Sequence, residues 1–328
     1  MAETITLGKA LNHGLRRALE NDSKVVIMGE DVGKLGGVFR ITDGLQKDFG
    51  EDRVIDSPLA EAGIVGTAVG LAIRGYRPVC EIQFDGFVFP AYNQIVAQVA
   101  KMYYRSMGKV RIPIVIRIPY GGGIGAVEHH SESPEAYFAH TAGLKVVTCA
   151  NPADAYVMIQ QAIASDDPVV FFEPKRRYWE KGEVDLDIDL AGAYPLHASR
   201  VAREGTDATL IAYGPMVRVA LDAATAAAED GRNLEVIDLR TLSPLDLDPV
   251  YASIRKTGRA VVVHEAPGNV GLGAEIAARI TEECFYSLEA PVLRVTGYDT
   301  PYPAARVEEE YLPDLDRVLD AVDRSFGW

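Results

Sequence analysis

Short apolar runs rich in β-branched residues alternate with segments of helical periodicity along almost the whole chain. Residues 25–28, 112–118 and 169–172 have the composition of buried strands. Residues 6–21 instead place leucines at positions 7, 11, 15 and 19, which is the spacing of one helical face. Strands that alternate with helices predict parallel sheets covered on both faces. The fold class that we expect is therefore α/β, with doubly wound parallel sheets.

A charged segment without helical periodicity interrupts this alternation. It begins with Lys-Arg-Arg at residues 175–177 and continues with acidic residues at positions 183, 185, 187 and 189. Exposed polar segments of this kind commonly join domains. The alternation resumes near residue 209, and a chain of 328 residues suits two domains. We expect one domain at residues 1–180, a linker at 181–200 and a second domain at 201–328. An irregular extension of the first domain is the alternative.

Charge, hydropathy and cysteine content restrict the partners and the compartment. The formal net charge of −14 disfavours nucleic acid, whose phosphates an acidic surface repels. The longest apolar stretch, residues 63–73, is shorter than the roughly 20 residues that a membrane span needs. The three cysteines lie far apart in apolar surroundings, which is typical of free thiols in a reducing compartment. No secretory signal is visible, and we expect a soluble, cytoplasmic protein.

Two glycine-rich segments follow predicted strands. Gly121-Gly-Gly-Ile-Gly125 precedes His129 and His130, at a strand end where a ligand could approach the backbone. We expect one of these histidines to transfer protons, and a structural role is the alternative. The segment Gly268–Gly273 has the spacing GxxGxG rather than GxGxxG. It favours tight packing of a helix against a strand over the binding of a dinucleotide.

Glu61 opens a predicted helix and has apolar neighbours on both sides. A carboxylate in a first helical turn ordinarily compensates the helix dipole. Apolar surroundings also suit a carboxyl group that holds a proton at neutral pH. The residues alone leave both interpretations open, and the sequence contains no P-loop and no complete diphosphate-binding motif.

A series of segments, in order along the chain, resembles the β subunits of thiamine-diphosphate-dependent 2-oxo acid dehydrogenases. Among them are Ile55-Asp-Ser-Pro-Leu-Ala-Glu-Ala-Gly63, Phe89-Pro-Ala-Tyr-Asn-Gln-Ile95 and Asp167-Pro-Val-Val-Phe-Phe-Glu-Pro-Lys175. The resemblance implies a transketolase-like pyrimidine-binding domain followed by a transketolase-like C-terminal domain. It also implies an α2β2 heterotetramer with thiamine diphosphate at each α/β interface. The α subunit would hold the diphosphate and Mg²⁺, and the C-terminal domain would dock a lipoyl acyltransferase core.

The same resemblance implies roles for individual residues. Glu61 would hydrogen-bond N1′ of the aminopyrimidine ring, in a pocket lined by Leu59 and Gln83. Phe87 would stack on that ring. His130 would serve proton transfer and orientation during acyl transfer to a lipoyl group.

A potassium site built from oxygen ligands is a further implication of the resemblance. It would lie near Ile114, Ala162, Ile163 and Asp167. Ser165 stands where an acidic residue is usual in the family, which is a departure from the pattern.

The substrate and the type of activity have alternatives. Residues 130–140 and 171–175 resemble branched-chain enzymes more than pyruvate enzymes, so a branched-chain 2-oxo acid is expected, with pyruvate or acetoin as the alternative. A single-chain nicotinamide-dependent dehydrogenase would instead use Gly268–Gly273. A catalytically idle module that docks the acyltransferase core is the third possibility.

Overall fold

The computed structural model describes residues 2–328, and its first half is built around one large sheet. In chain order its elements are β1 (Ala2–Thr6), α1 (Leu7–Asn21), β2 (Val25–Gly29), α2 (Leu45–Phe49), β3 (Val54–Asp56), α3 (Glu61–Ile73), β4 (Arg77–Glu81), α4 (Met102–Arg105), β5 (Val115–Tyr120), α5 (Glu135–Ala139), β6 (Lys145–Thr148), α6 (Pro152–Ala164), β7 (Val169–Pro174) and β8 (Lys181–Asp185). Short 3₁₀ helices at Asp85–Ala91 and Glu128–His130 lie in loops after strands.

The second half repeats the alternation on a smaller scale. Its elements are β9 (Arg200–Arg203), β10 (Ala208–Ala212), α7 (Met216–Glu229), β11 (Leu234–Asp238), β12 (Thr241–Ser243), α8 (Asp248–Thr257), β13 (Ala260–Pro267), α9 (Leu272–Cys284), β14 (Leu293–Gly297), α10 (Glu308–Tyr311) and α11 (Leu315–Phe326). The expected α/β class is confirmed, with two sheets whose inner strands run parallel.

The strand order is β12-β6-β7-β5-β4-β2-β3 in the larger sheet and β14-β13-β10-β11-β9 in the smaller one. The edge strands β12 and β9 are antiparallel to their neighbours. Strand β12 belongs to the second half of the sequence but pairs with β6 of the first sheet. The two halves are therefore joined by backbone hydrogen bonds as well as by side-chain packing.

The helices cover both faces of each sheet because their apolar stripes match the buried strands. Helix α1 buries its leucines against α6 on one face of the larger sheet. Helix α3 packs on the opposite face. Within the described residues 2–328, no helix is both long and apolar enough to cross a membrane.

Two segments differ from the sequence-based expectation. The sequence of residues 89–104 predicts a continuous helix, but the structure breaks it into 3₁₀, π and short α pieces. Pro90, which cannot donate a backbone hydrogen bond, lies inside the first piece. The expected linker at 181–200 begins with strand β8, which pairs antiparallel with β1. The exact domain boundaries stay a prediction.

Candidate active site

Three neighbouring strands end where the first group of predicted residues lies. Strand β2 pairs in parallel with both β3 and β4, so the carboxyl ends of the three strands form one edge. Glu30 follows β2, Glu61 opens α3 just after β3, and Gln83 follows β4. Ligands bind at such edges in parallel α/β sheets because the loops there diverge and leave a crevice.

Glu61 and Glu30 form a buried carboxyl pair at this edge. Their exposed fractions are 8% and 7%, respectively. Burial and the adjacent Glu61 carboxylate both raise the pKa of Glu30. Within residues 2–328, the Oε1 atom of Glu30 is buried without a hydrogen-bond partner. A raised pKa lets the Glu30 carboxyl group keep a proton closer to neutral pH, beside a site where a ligand nitrogen could bind. Glu30 was missed from the sequence, although it directly follows a buried strand.

Gln83 and Leu59 border the pair in different ways. The Gln83 side-chain amide donates to the Asp31 carboxylate over 3.1 Å and to the Glu30 carbonyl oxygen over 3.3 Å. Leu59, two residues before Glu61, is 80% exposed. A large apolar side chain exposed beside buried carboxyl groups is a common feature of a surface that another molecule covers.

Phe87 and His130 lie next to one another. Phe87 belongs to the 3₁₀ helix after β4, and His130 ends the 3₁₀ helix Glu128–His130. The centroid of the His130 ring lies 5.2 Å from that of Phe87 and 4.3 Å from that of Phe84, edge to face in both cases. The Phe87 ring thus contacts His130 and Phe84, and stacking on a pyrimidine ring remains a prediction.

The backbone of His129 sits directly on the loop after β4. A Cβ atom at Gly86 would lie 2.5 Å from the His129 carbonyl oxygen, so only glycine permits this approach. The His129 ring itself is exposed and lies 3.5 Å from the Glu128 carboxylate. His130, rather than His129, therefore faces the aromatic side chains of the site.

A buried ion pair supports the loop that carries these histidines. Lys175 Nζ lies 2.6 Å from Asp85 Oδ1, and both side chains are completely buried. The other oxygen of Asp85 accepts the N–H of Glu132 over 2.8 Å. The end of β7, the loop after β4 and the histidine loop are therefore tied together beneath the site.

The glycine-rich segment is held by the chain's own carboxylates, which corrects the expectation that a ligand approaches its backbone. Glu265 Oε2 accepts the N–H of Gly122, and the two oxygens of Glu308 accept the N–H groups of Gly123 and Gly125, all over 2.9 Å. These carboxylates lie at the end of β13 and at the start of α10. No sequence signal connects them to the loop, because they are more than 140 positions away.

The segment Gly268–Gly273 has the packing role that its spacing favoured. The N–H of Gly273 donates to the ring of His264 over 3.2 Å. A Cβ atom at Gly273 would lie 2.6 Å from the same ring nitrogen. Burial lowers the pKa of His264 to about 4, so the ring is neutral and can accept this bond.

The residues expected around a potassium ion have other partners. The Ile163 carbonyl oxygen accepts from the Arg77 guanidinium over 3.2 Å, and Asp167 pairs with Lys145 over 3.1 Å. The carbonyl oxygens of Ile114 and Ala162 accept backbone N–H groups. The positive charges of Arg77 and Lys145 beside these oxygens fit a cation poorly. Within residues 2–328, no cluster of three or more acidic, histidine or cysteine side chains could hold a metal ion.

Two family models account for most of the chain. Residues 3–180 match the pyrimidine-binding domain of transketolase, and residues 197–318 match the transketolase C-terminal domain. A solved structure described as a split-gene transketolase, an inactive β4 tetramer, superposes with a TM-score of 0.79. It covers 98% of both chains at 23% identity. The fold is therefore that of the transketolase-like thiamine enzymes.

Full-length relatives define the family more closely. The pyruvate dehydrogenase E1 component subunit beta of Leifsonia xyli is 64% identical over 99% of this chain and 96% of its own. The 3-methyl-2-oxobutanoate dehydrogenase subunit beta of Mycobacterium tuberculosis is 53% identical over 99% of this chain and 92% of its own. The chain belongs to the β subunits of thiamine-diphosphate-dependent 2-oxo acid dehydrogenases.

Proposed function

We propose that this chain supplies the aminopyrimidine half of an active site that decarboxylates branched-chain 2-oxo acids and passes the acyl group to a lipoyl group. The observation that carries the proposal is the buried Glu30–Glu61 pair beside the exposed Leu59. The raised pKa of Glu30 places a group that keeps its proton beside Glu61, which suits a hydrogen bond between Glu61 and a ring nitrogen. The exposed Leu59 side chain suits a surface that a second subunit covers.

The residues of this chain fit one part of thiamine diphosphate. Glu61 would meet the aminopyrimidine nitrogen, Leu59 and Gln83 would line its pocket, and Phe87 would face the ring. When bound, the cofactor supplies an electron sink for decarboxylation. The sequence has no complete diphosphate-binding motif, so we assign the diphosphate and Mg²⁺ to an α subunit. The complex would then be an α2β2 heterotetramer that is active only when assembled.

His130 is assigned to the later acyl transfer. Its ring lies beside Phe84 and Phe87 at the same edge as Glu61. In the transfer, one sulfur of the lipoyl disulfide becomes acylated and the S–S bond breaks. The other sulfur takes a proton, and the two electrons released by decarboxylation reduce the disulfide. His130 would donate that proton. We further assign docking of the lipoyl acyltransferase core to the C-terminal domain.

The substrate preference rests on two opposing observations. Residues 130–140 and 171–175 and the name of the M. tuberculosis relative favour a branched-chain substrate. The name of the L. xyli relative, at 64% identity, favours pyruvate as the second candidate. A hydrophobic pocket separates substrates that differ by one methylene by only about 1–3 kcal/mol. Activity on both substrates is therefore compatible with the proposal. We also infer a cytoplasmic location, which the three free, buried thiols support.

The test is co-expression with the α subunit, followed by an assay of 3-methyl-2-oxobutanoate and pyruvate with thiamine diphosphate and Mg²⁺. We expect turnover only in the mixed complex, with the higher kcat/KM for 3-methyl-2-oxobutanoate. The variant Glu61→Gln should assemble but lose at least about 100-fold in kcat, the lower range for general acid–base catalysis. The variant Glu51→Gln, an exposed carboxylate in the loop before β3, is the matched control. Full turnover by Glu61→Gln would refute the assignment of Glu61.

A further inference from the structure

The loop that carries His130 is closed at its base. The N–H of Gly121 donates to the carbonyl oxygen of Glu132 over 3.0 Å. The N–H of Glu132 donates in turn to the buried Asp85. Residues 121–132 thus form one closed unit, and the position of His130 depends on how the rest of that unit is held.

The His130 side chain is weakly held by itself. Its ring meets the edges of two aromatic rings, and its backbone N–H bonds to Val127 within the same loop. Within residues 2–328, no hydrogen bond is seen to its imidazole. Ring contacts of this kind are worth only about 0.5–1.5 kcal/mol. The orientation of the imidazole must therefore come largely from the loop backbone.

The C-terminal domain fixes the other end of the loop, the glycine arm at residues 121–125. The carboxylate of Glu308 accepts two backbone hydrogen bonds: Oε1 accepts the N–H of Gly123 and Oε2 accepts the N–H of Gly125. The hydroxyl of Tyr302 donates to Glu308 Oε1 over 2.7 Å and orients it. On the other side, a Cβ atom at Gly123 would lie 2.6 Å from the Arg176 guanidinium. The glycine arm is thus confined between a cation of the first domain and a buried anion of the second.

We propose that Glu308 is a positioning residue for His130. It acts through the backbone of Gly123 and Gly125, and it never touches the substrate or cofactor. Hydrogen bonds to a charged acceptor are about twice as strong as neutral ones, so Glu308 can hold the part of the arm from Gly123 to Gly125, while Glu265 holds Gly122. The proposal rests on the proposed function, because it concerns the acyl transfer assigned to His130. It also makes the C-terminal domain part of the catalytic unit.

The test compares Glu308→Gln with Glu309→Gln in the assembled α2β2 holoenzyme. Glutamine keeps the size of the side chain, but its amide NH₂ cannot accept from the second glycine N–H. Glu309 is the next residue, and its side chain is exposed, so the control removes the same charge without touching the loop. Two rates are measured: decarboxylation coupled to a dye acceptor, and reductive acylation of a free lipoyl domain.

We expect Glu308→Gln to lower kcat for reductive acylation by about tenfold or more, a part of the 10²–10⁴ that a positioned acid contributes. The dye-coupled rate and the KM for the 2-oxo acid should match those of Glu309→Gln. Tyr302→Phe should give a smaller loss in the same rate. Amide hydrogen exchange at Gly123 and Gly125 should rise in Glu308→Gln and stay unchanged in Glu309→Gln.

Two results would overturn the proposal. One is an equal loss of both rates, which would assign Glu308 to the general stability of the fold. The other is reductive acylation indistinguishable from that of the Glu309→Gln control. A wild-type complex that decarboxylates no 2-oxo acid would refute the proposed function itself, so the two failures are distinguishable.

Discussion

The buried pair of Lys175 and Asp85 gives the sharpest test of how the site is supported. Both side chains are completely buried, with 2.6 Å between Nζ and Oδ1. Removing one partner of such a pair leaves a buried charge and typically costs about 3–5 kcal/mol. In a domain of 150–250 residues each kcal/mol shifts the melting temperature by about 2–4 °C. The variant Lys175→Met should therefore lower the first melting transition of the complex by roughly 6–20 °C.

The loss should depend on pH, with a sign that follows from Asp85. Burial already raises the pKa of Asp85, and Lys175 opposes that shift. Without Lys175 the pKa in the folded state rises further above the unfolded value. The folded state then binds more protons than the unfolded state, so the free energy of unfolding falls as pH rises. The deficit of Lys175→Met should be smaller at pH 5 than at pH 8.

A double variant separates charge from packing. Asp85→Asn combined with Lys175→Met removes both charges and leaves an amide oxygen for the N–H of Glu132. Replacing a buried pair by neutral groups is often nearly neutral in stability, so most of the lost melting temperature should return. Differential scanning fluorimetry at the two pH values is sufficient. A single variant as stable as wild type, or a double variant as unstable as the single one, contradicts the reasoning.

Two further predictions concern the carboxyl pair and the cation. Glu30→Gln should lower turnover by about tenfold or more, because the proton that Glu30 keeps is lost. The same variant should raise the melting temperature more at pH 8 than at pH 5. Burial and Glu61 raise the pKa of Glu30, so ionisation of Glu30 at the higher pH destabilises the folded state of the wild type. The opposite pH trend would exclude the pairing of Glu30 with Glu61. Replacing potassium by sodium in the assay should leave turnover unchanged, because Arg77 already lies on the carbonyl oxygens at the end of α6. A requirement for potassium would show that the ion displaces Arg77.

The sequence predicted the elements whose signals are local. Helix α1 covers residues 7–21 of the segment 6–21 that has helical spacing, and α3 begins at Glu61 as predicted. The apolar periodicity within one segment is enough to predict such a helix. In the structure, packing of the apolar face on a buried sheet stabilises the same helix. Glu61 could be singled out for the same reason, since its helix start and its apolar flanks are adjacent in the chain.

What the sequence did not predict depends on partners that are distant along the chain. Strand β1 is a strand because it pairs with β8, about 180 positions later, and β12 leaves its own half to extend the first sheet. The glycine-rich loop was interpreted as a site of ligand approach because the carboxylates of Glu265 and Glu308 cannot be placed there from spacing alone. Single-chain periodicity carries no information about such pairings.

The structure contains buried carboxyl groups with a cation beside them and buried carboxyl groups without one. The sequence does not show to which kind Glu61 belongs, so it left the role of Glu61 open. Asp85 has Lys175 at 2.6 Å, so its charge is matched and its function is to hold the loop. Glu30 and Glu61 are also buried, with 7% and 8% exposed, and within residues 2–328 neither forms a salt bridge. Without a cation beside it, the Glu30 carboxyl group has a raised pKa from burial and from Glu61, and it retains a proton more readily than an exposed carboxyl group. This contrast, which depends on where the Lys175 side chain lies in space, distinguishes a group suited to proton transfer from one suited to support.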